Sequence, residues 1–127
     1  MSLMDTPLKP LHWIATSLAD LRECPEEVQD DIGFALHVAQ EGGMHHSAKP
    51  LKGFGGAGVL EIVDTHDGNT YRAVYTVRFA LAIYTLHVFQ KKSKHGIATP
   101  KAEIDLVKSR LLKAEAHYEQ TYGKKKP

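Results

Sequence analysis

Cysteine is nearly missing from this sequence: Cys24 is the only one in 127 residues. No intrachain disulfide can form, so stability has to come from a packed core, and a reducing compartment is the expectation. Long apolar runs are missing too, none approaching the roughly 20 residues of a membrane-spanning helix. The opening MSLMDTPLKP has an acid and two prolines where a secretory signal would be apolar. Glycines gather in the stretch 44–57, MHHSAKPLKGFGGA, but without the Gly-Lys-Ser/Thr ending that opens a helix in a phosphate-binding loop. The segment reads as a loop leading into a strand. These absences predict a soluble, cytoplasmic protein without a membrane partner.

What is present is ordinary for a globular domain, with 43% hydrophobic and 24% charged residues. The length suits one domain over residues 1–127, with 1–10 and 121–127 expected to be flexible. Charge is unevenly spread. Residues 1–48 hold two bases and eight acids, whereas residues 90–127 hold ten bases and four acids. A polyanion needs a local positive face rather than a high overall charge, so the second half is where such a partner would bind.

The pattern of elements is readable in order. LHWIAT over 11–16 reads as a strand, and Ser17 with Asp20 has the spacing of a capping box before a helical turn over 18–23. Val28, Ile32, Ala35, Leu36 and Ala39 recur at helical spacing, which predicts an amphipathic helix over 25–42 closed by Gly42 and Gly43. Three strands follow, over 58–64, 70–77 and 81–90. Asp67-Gly68 makes the first hairpin turn and Arg78-Phe79 a second tight one. Thr99 caps and Pro100 opens a last helix to about residue 120, with Ile104, Val107, Leu111 and Ala114 along one face. The fold class is α+β: a small antiparallel sheet with an N-terminal helical pair and a C-terminal helix.

Side chains alternate across strands, so hairpin register sorts them onto two faces. In the register set by two-residue turns, Val63 lies opposite Arg72, and Arg72 opposite Thr85. One face then carries Leu60, Ile62, Tyr71, Ala73, Tyr75, Val77, Ala82, Tyr84, Leu86 and Val88, and packs on the helices. The other carries Glu61, Val63, Arg72, Val74, Thr76, Ile83, Thr85, His87, Phe89 and Lys91. Its charged members form either a solvated surface with a Glu61–Arg72 salt bridge or a functional site. Lys91, Lys92, Lys94 and His95 cluster just beyond the third strand, and Lys49 and Lys52 precede the first of the three. Together they would rim a shallow basic concavity suited to phosphodiester chemistry, where cations neutralise phosphate and a histidine or lysine moves protons.

KPLKG, VLEI, YRAVY, LHVFQKKSK and TPKAEIDLVKSRL, in this order, resemble the RelE/HigB-like type II toxin superfamily, particularly its phage-derived toxin-like branch. The resemblance spans roughly residues 11–113. It implies a ribosome-dependent mRNA endoribonuclease that needs no metal or other cofactor and uses the RNA 2′-hydroxyl as nucleophile. Its partners would be the ribosome, mRNA and a helix-turn-helix antitoxin encoded nearby. By motif, Arg72 corresponds to the family's phosphate-contacting arginine, Lys91 and Lys92 to its basic catalytic or binding residues, and Lys52 to an upstream lysine. Glu61 and His87 join the catalytic set from the face argument, and Lys49, Lys94 and His95 the RNA-binding set. His95-Gly96 stand where some members have a tyrosine.

Two other functions compete with the nuclease. The same fold can serve as a non-catalytic module that binds RNA or an antitoxin. A metal hydrolase is disfavoured, because the eight histidines lack a repeated ligand spacing. Cys24, just before Pro25, reads as a buried thiol rather than an activated one.

Overall fold

Pro25 fixes the start of the main N-terminal helix, and the acids behind it favour the positive end of the helix dipole. The computed structural model describes residues 7–55, 58–91 and 99–123. Its elements are β1 (Leu11–Trp13), α1 (Ser17–Arg22), α2 (Glu26–Gln40), β2 (Ala48–Pro50), β3 (Val59–His66), β4 (Asn69–Thr76), β5 (Ile83–Lys91) and α3 (Lys101–Tyr122). The five strands form one sheet in the order β1-β5-β4-β3-β2, antiparallel except where β1 runs parallel to β5. This is the α+β class and the element order read from the sequence, with one strand added: β2 lies inside the segment expected to be a loop.

Both faces of the sheet are covered. Val28, Ile32, Ala35, Leu36 and Ala39 of α2 pack with Leu60, Ile62, Tyr71, Ala73, Tyr75, Ile83 and Val88 on one side. Val107, Leu111 and Ala114 of α3 pack with Leu51, Val59, Val74, Tyr84 and Leu86 on the other. The expectation of one helix-covered face and one solvated face is therefore corrected. The C-terminal helix lies over the polar face, and Glu61, Arg72, His87 and Lys91 are all buried.

The first hairpin has the register read from the sequence, with His66 paired to Asn69 and Val63 to Arg72. Asp67 and Gly68 supply the positive φ angles, 52° and 79°, that this turn requires. The second hairpin differs. Arg72 pairs with Phe89 rather than Thr85, and Thr70 with Lys91 rather than His87. Val77–Ala82 form a longer connection in place of a tight Arg78-Phe79 turn, because that loop is tied to α3. Arg78 bonds Glu115 at 2.6 Å, and the Phe79 ring stacks on Tyr118 at 4.7 Å.

The slip of four residues keeps His87, Phe89 and Lys91 on their expected face, since an even shift preserves the alternation. A bulge at Leu86, between the pairs Val74–His87 and Tyr75–Thr85, then reverses the strand's beginning. Tyr84 and Leu86 accordingly pack toward α3, and Ile83 toward α2, opposite to the sequence-based sorting.

Two expected caps are also replaced. Neither α1 nor α3 has a side-chain cap. The Ser17 hydroxyl donates instead to the carbonyl of Thr85 at 3.2 Å, and the Thr99 hydroxyl reaches across to Glu61 at 3.0 Å.

Candidate RNA-binding site

The short edge strand β2 brings the first basic residue to the sheet. Lys49 pairs directly with Glu61 of β3, Glu61 with Val74 of β4, and Val74 with His87 of β5. One line across the α3-facing side thus reads Lys49–Glu61–Val74–His87. The next line reads Val63–Arg72–Phe89, and Lys91 follows opposite Thr70. The corrected register brings His87 into line with Glu61, where two-residue turns would have set it against Thr70.

Glu61 and Arg72 form a buried ion pair, Nη1 of Arg72 donating to Oε1 of Glu61 at 3.0 Å. Their side chains are only 5% and 6% exposed, so this is not the solvated salt bridge weighed from the sequence. The second carboxylate oxygen of Glu61 accepts the Thr99 hydroxyl at 3.0 Å. In front of the pair is a cavity of about 220 Å³ lined by Lys49, Pro50, Leu51, Lys52, Glu61, Thr99 and Ile104. Lys49 and Lys52 are exposed at its rim. The arrangement combines exposed cations at a mouth, the Glu61 carboxylate that Arg72 holds, and apolar walls from Leu51 and Ile104. Such a cavity can hold a phosphate and an adjoining apolar or aromatic group.

His87 is built into a separate network. Its Nε2 lies 2.6 Å from Oε1 of Glu103, its Nδ1 lies 3.3 Å from Arg110, and its ring stacks on Phe89 at 4.6 Å. Arg110 also donates to the Leu86 carbonyl at 3.0 Å and to the Thr16 hydroxyl at 3.2 Å. The sequence reading missed Arg110 and Glu103. Arg110 directly precedes the apolar Leu111 on α3, but nothing in the helical period says that a charge there is buried. Lys92, Lys94 and His95 lie outside the described residues.

Other titratable groups sit away from this cavity. His12 of β1 bonds Tyr122 at 2.8 Å, and Tyr84 bonds His117 at 2.7 Å, which ties the end of α3 to the sheet. Burial, with His117 adding to it, pushes His12 below the usual histidine range, and burial pushes Tyr84 up to about 12. Burial also raises Cys24, helped by the Asp20 and Glu23 carboxylates, in keeping with an unactivated thiol. On the opposite face Asp64 is pushed up to about 6, first by burial and then by its contact with Asp31. Among the described residues, no three His, Cys, Asp or Glu side chains gather where a metal ion could be held. Nor is any described helix long and apolar enough to cross a membrane.

Comparison with solved structures finds a mutant of the Escherichia coli toxin RelE in the free state. The two superpose with a TM-score of 0.54 at 19% identity, over 84% of this chain and 97% of that one. The likeness establishes the RelE fold. No curated protein sequence matches. The model of the family described as "Phage derived protein Gp49-like (DUF891)" matches residues 19–112, a span from α1 into α3 that holds the ion pair, the cavity and the His87 network. The chain thus belongs to the phage-derived Gp49-like family.

Proposed function

We propose that this chain is the toxin of a toxin–antitoxin pair, arresting translation in the cytoplasm by cutting messenger RNA on the ribosome. Its neutralising partner would be a helix-turn-helix antitoxin encoded beside it. Support comes from the family match, the RelE fold and one observation above all: Lys49, Lys52 and Glu61, the ion-pair partner of Arg72, line a single cavity. RNA cleavage by its own 2′-hydroxyl needs positive charge for the phosphate as it gains a fifth oxygen, and a route for one proton. In this reading Lys49 and Lys52 hold the backbone at the rim. Arg72 faces the scissile phosphate as it exchanges part of its bond to Glu61 for the substrate. By the sequence resemblance Lys91 and Lys92 would act on the phosphate and Lys94 and His95 would contact RNA, and His87 serves in proton transfer once its contacts to α3 are exchanged for substrate.

A binding-only module is the second reading, favoured by the occupation of both His87 ring nitrogens and by the neutralisation of Arg72 by Glu61. Induction of the chain without its neighbour gene separates the two, with growth and mRNA 5′ ends followed together. The nuclease reading expects rapid arrest and new cuts within translated messages, both lost in the Lys49→Ala/Lys52→Ala double variant. These lysines are exposed, so their removal leaves the core intact. Arg72→Ala is the weaker test, because it strands the buried Glu61 carboxylate at a cost of about 3–5 kcal/mol. Normal growth and intact messages from folded protein would establish the binding module instead.

A further inference from the structure

The cavity beside β2 changes character from its mouth inward. Lys49 and Lys52 stand exposed at the rim, whereas Glu61, which also lines the space, is 4% exposed. Leu51 and Ile104 supply apolar wall. The buried carboxylate is not exhausted by its protein partners. Oε1 accepts from Nη1 of Arg72 and Oε2 from the Thr99 hydroxyl, each at 3.0 Å. A carboxylate has about four lone-pair sites, so each oxygen has room for one more donor.

A ligand of this space has to be negative at one end and a hydrogen-bond donor at the other, with an apolar body. An arginine or lysine side chain would meet the two rim lysines first, and a bare phosphate would meet the inner carboxylate. Like charges repel in both cases. Cavities that enclose a whole small molecule start at about 300 Å³. This one, at about 220 Å³, takes a single ring system and leaves the charged end outside. A nucleotide entering base first has that form. Guanine puts two donors side by side, N1–H and the N2 amino group, which match the two oxygens of one carboxylate. Adenine and cytosine set a donor beside an acceptor, and uracil sets its donor between two acceptors, which a carboxylate repels.

We propose that this cavity is a guanine-nucleotide site. The base lies against Leu51 and Ile104, N1–H and N2–H donate to the Glu61 carboxylate, and Lys49 and Lys52 hold the phosphate outside. Arg72 and Thr99 keep their bonds to Glu61 throughout. The inference rests on the RNA-binding reading of this site and deepens it by naming the base. The same chemistry serves a guanine in single-stranded RNA and a free guanine nucleotide.

The test is equilibrium binding to the full-length chain, with the methyl NMR signals of Leu51 and Ile104 recorded alongside. The probes are the 5′-monophosphates of guanosine, inosine, adenosine, cytidine and uridine, and two single-stranded RNA tetranucleotides that differ in one guanine replaced by adenine. The guanosine probe should bind about tenfold more tightly than those of adenosine, cytidine and uridine, the discrimination of one two-pronged base contact. Inosine, which lacks the N2 amino group, should fall between. Both methyl signals should move. Lys49→Ala/Lys52→Ala should weaken all five mononucleotides without changing their order, and Glu61→Gln should erase the preference. Tighter binding of the guanine tetranucleotide than of the mononucleotide assigns the site to RNA, and the reverse assigns it to the free nucleotide.

Equal binding of the five mononucleotides, or binding that leaves Leu51 and Ile104 unmoved, would overturn the proposal. So would a guanine preference kept by folded Glu61→Gln. If that variant does not fold, the wild-type series decides alone. A chain that cuts no message yet prefers guanine loses the nuclease reading and keeps this site. One that cuts messages and binds the five alike keeps the nuclease reading and loses the site.

Discussion

Arg110 of α3 holds the Nδ1 atom of His87 on β5 at 3.3 Å, and the two residues are 8% and 6% exposed. A guanidinium has only donors, so Nδ1 accepts and the ring proton sits on Nε2, where it is given to Glu103 at 2.6 Å. Nitrogen-15 NMR should therefore show His87 as the Nε2–H tautomer at neutral pH. Replacing Arg110 with methionine removes the donor from Nδ1, from the Leu86 carbonyl and from the Thr16 hydroxyl together. The expected destabilisation is about 2–3 kcal/mol, or a thermal midpoint lower by about 10 °C. A protonated Nδ1 in the wild type, or an unchanged midpoint in Arg110→Met, would contradict this account.

Asp64 supplies a pH dependence of known sign. Its carboxyl is raised to about 6 in the folded chain against 3.8 as the ordinary value. Between those values the folded state binds the extra proton. Stability from this group is therefore full at the acid end and is lost as pH rises through about 6. The effect is on the order of 1–2 kcal/mol after allowance for partial solvent access. Asp64→Asn should remove it, so the variant's advantage over wild type should be small at the acid end and grow toward neutral pH. Denaturant titrations at several pH values measure that difference, and a constant gap would refute it.

Gly58 occupies a position that admits no side chain. Its φ is +79°, and an added Cβ would lie 3.2 Å from both the Cα and the backbone nitrogen of Arg78. Its carbonyl also accepts from Val77 N at 2.9 Å and from the Thr76 hydroxyl at 2.8 Å, so the loop cannot simply move away. Gly58→Ala should cost about 1–3 kcal/mol, lowering the urea midpoint with little change in slope. An unchanged midpoint would show that the β4–β5 loop yields.

The parts of this fold written in local pattern were legible. The spacing from Val28 to Ala39 marked α2, and Asp67-Gly68 set the register that places Glu61 and Arg72 on one face. Three features depend on contacts distant in sequence and left no local mark. The connection Val77–Ala82 is shaped by Glu115 and Tyr118, and the bulge at Leu86 by packing on α3. The third is the covering of the polar face, which requires Glu103 and Arg110 to meet His87. The sequence reading treated charge as a sign of exposure, and here charged residues pair with one another beneath a helix. Lys49, Lys52 and Glu61, three of the residues named from the sequence, line one cavity, and Arg72 is ion-paired to Glu61. Thr99 was named only as a cap.

The parallel pairing of Leu11 with Ile83 carries a consequence for synthesis. β1 leaves the ribosome well before β5, its one strand neighbour among the described residues, and α3, which closes one face, follows β5. Contacts of such long sequence separation form late and slowly. A nascent chain that has passed β4 holds a hairpin and two helices without a closed core. The cavity, which needs Thr99 and Ile104 as walls, is assembled only after the chain has been made through the first turn of α3.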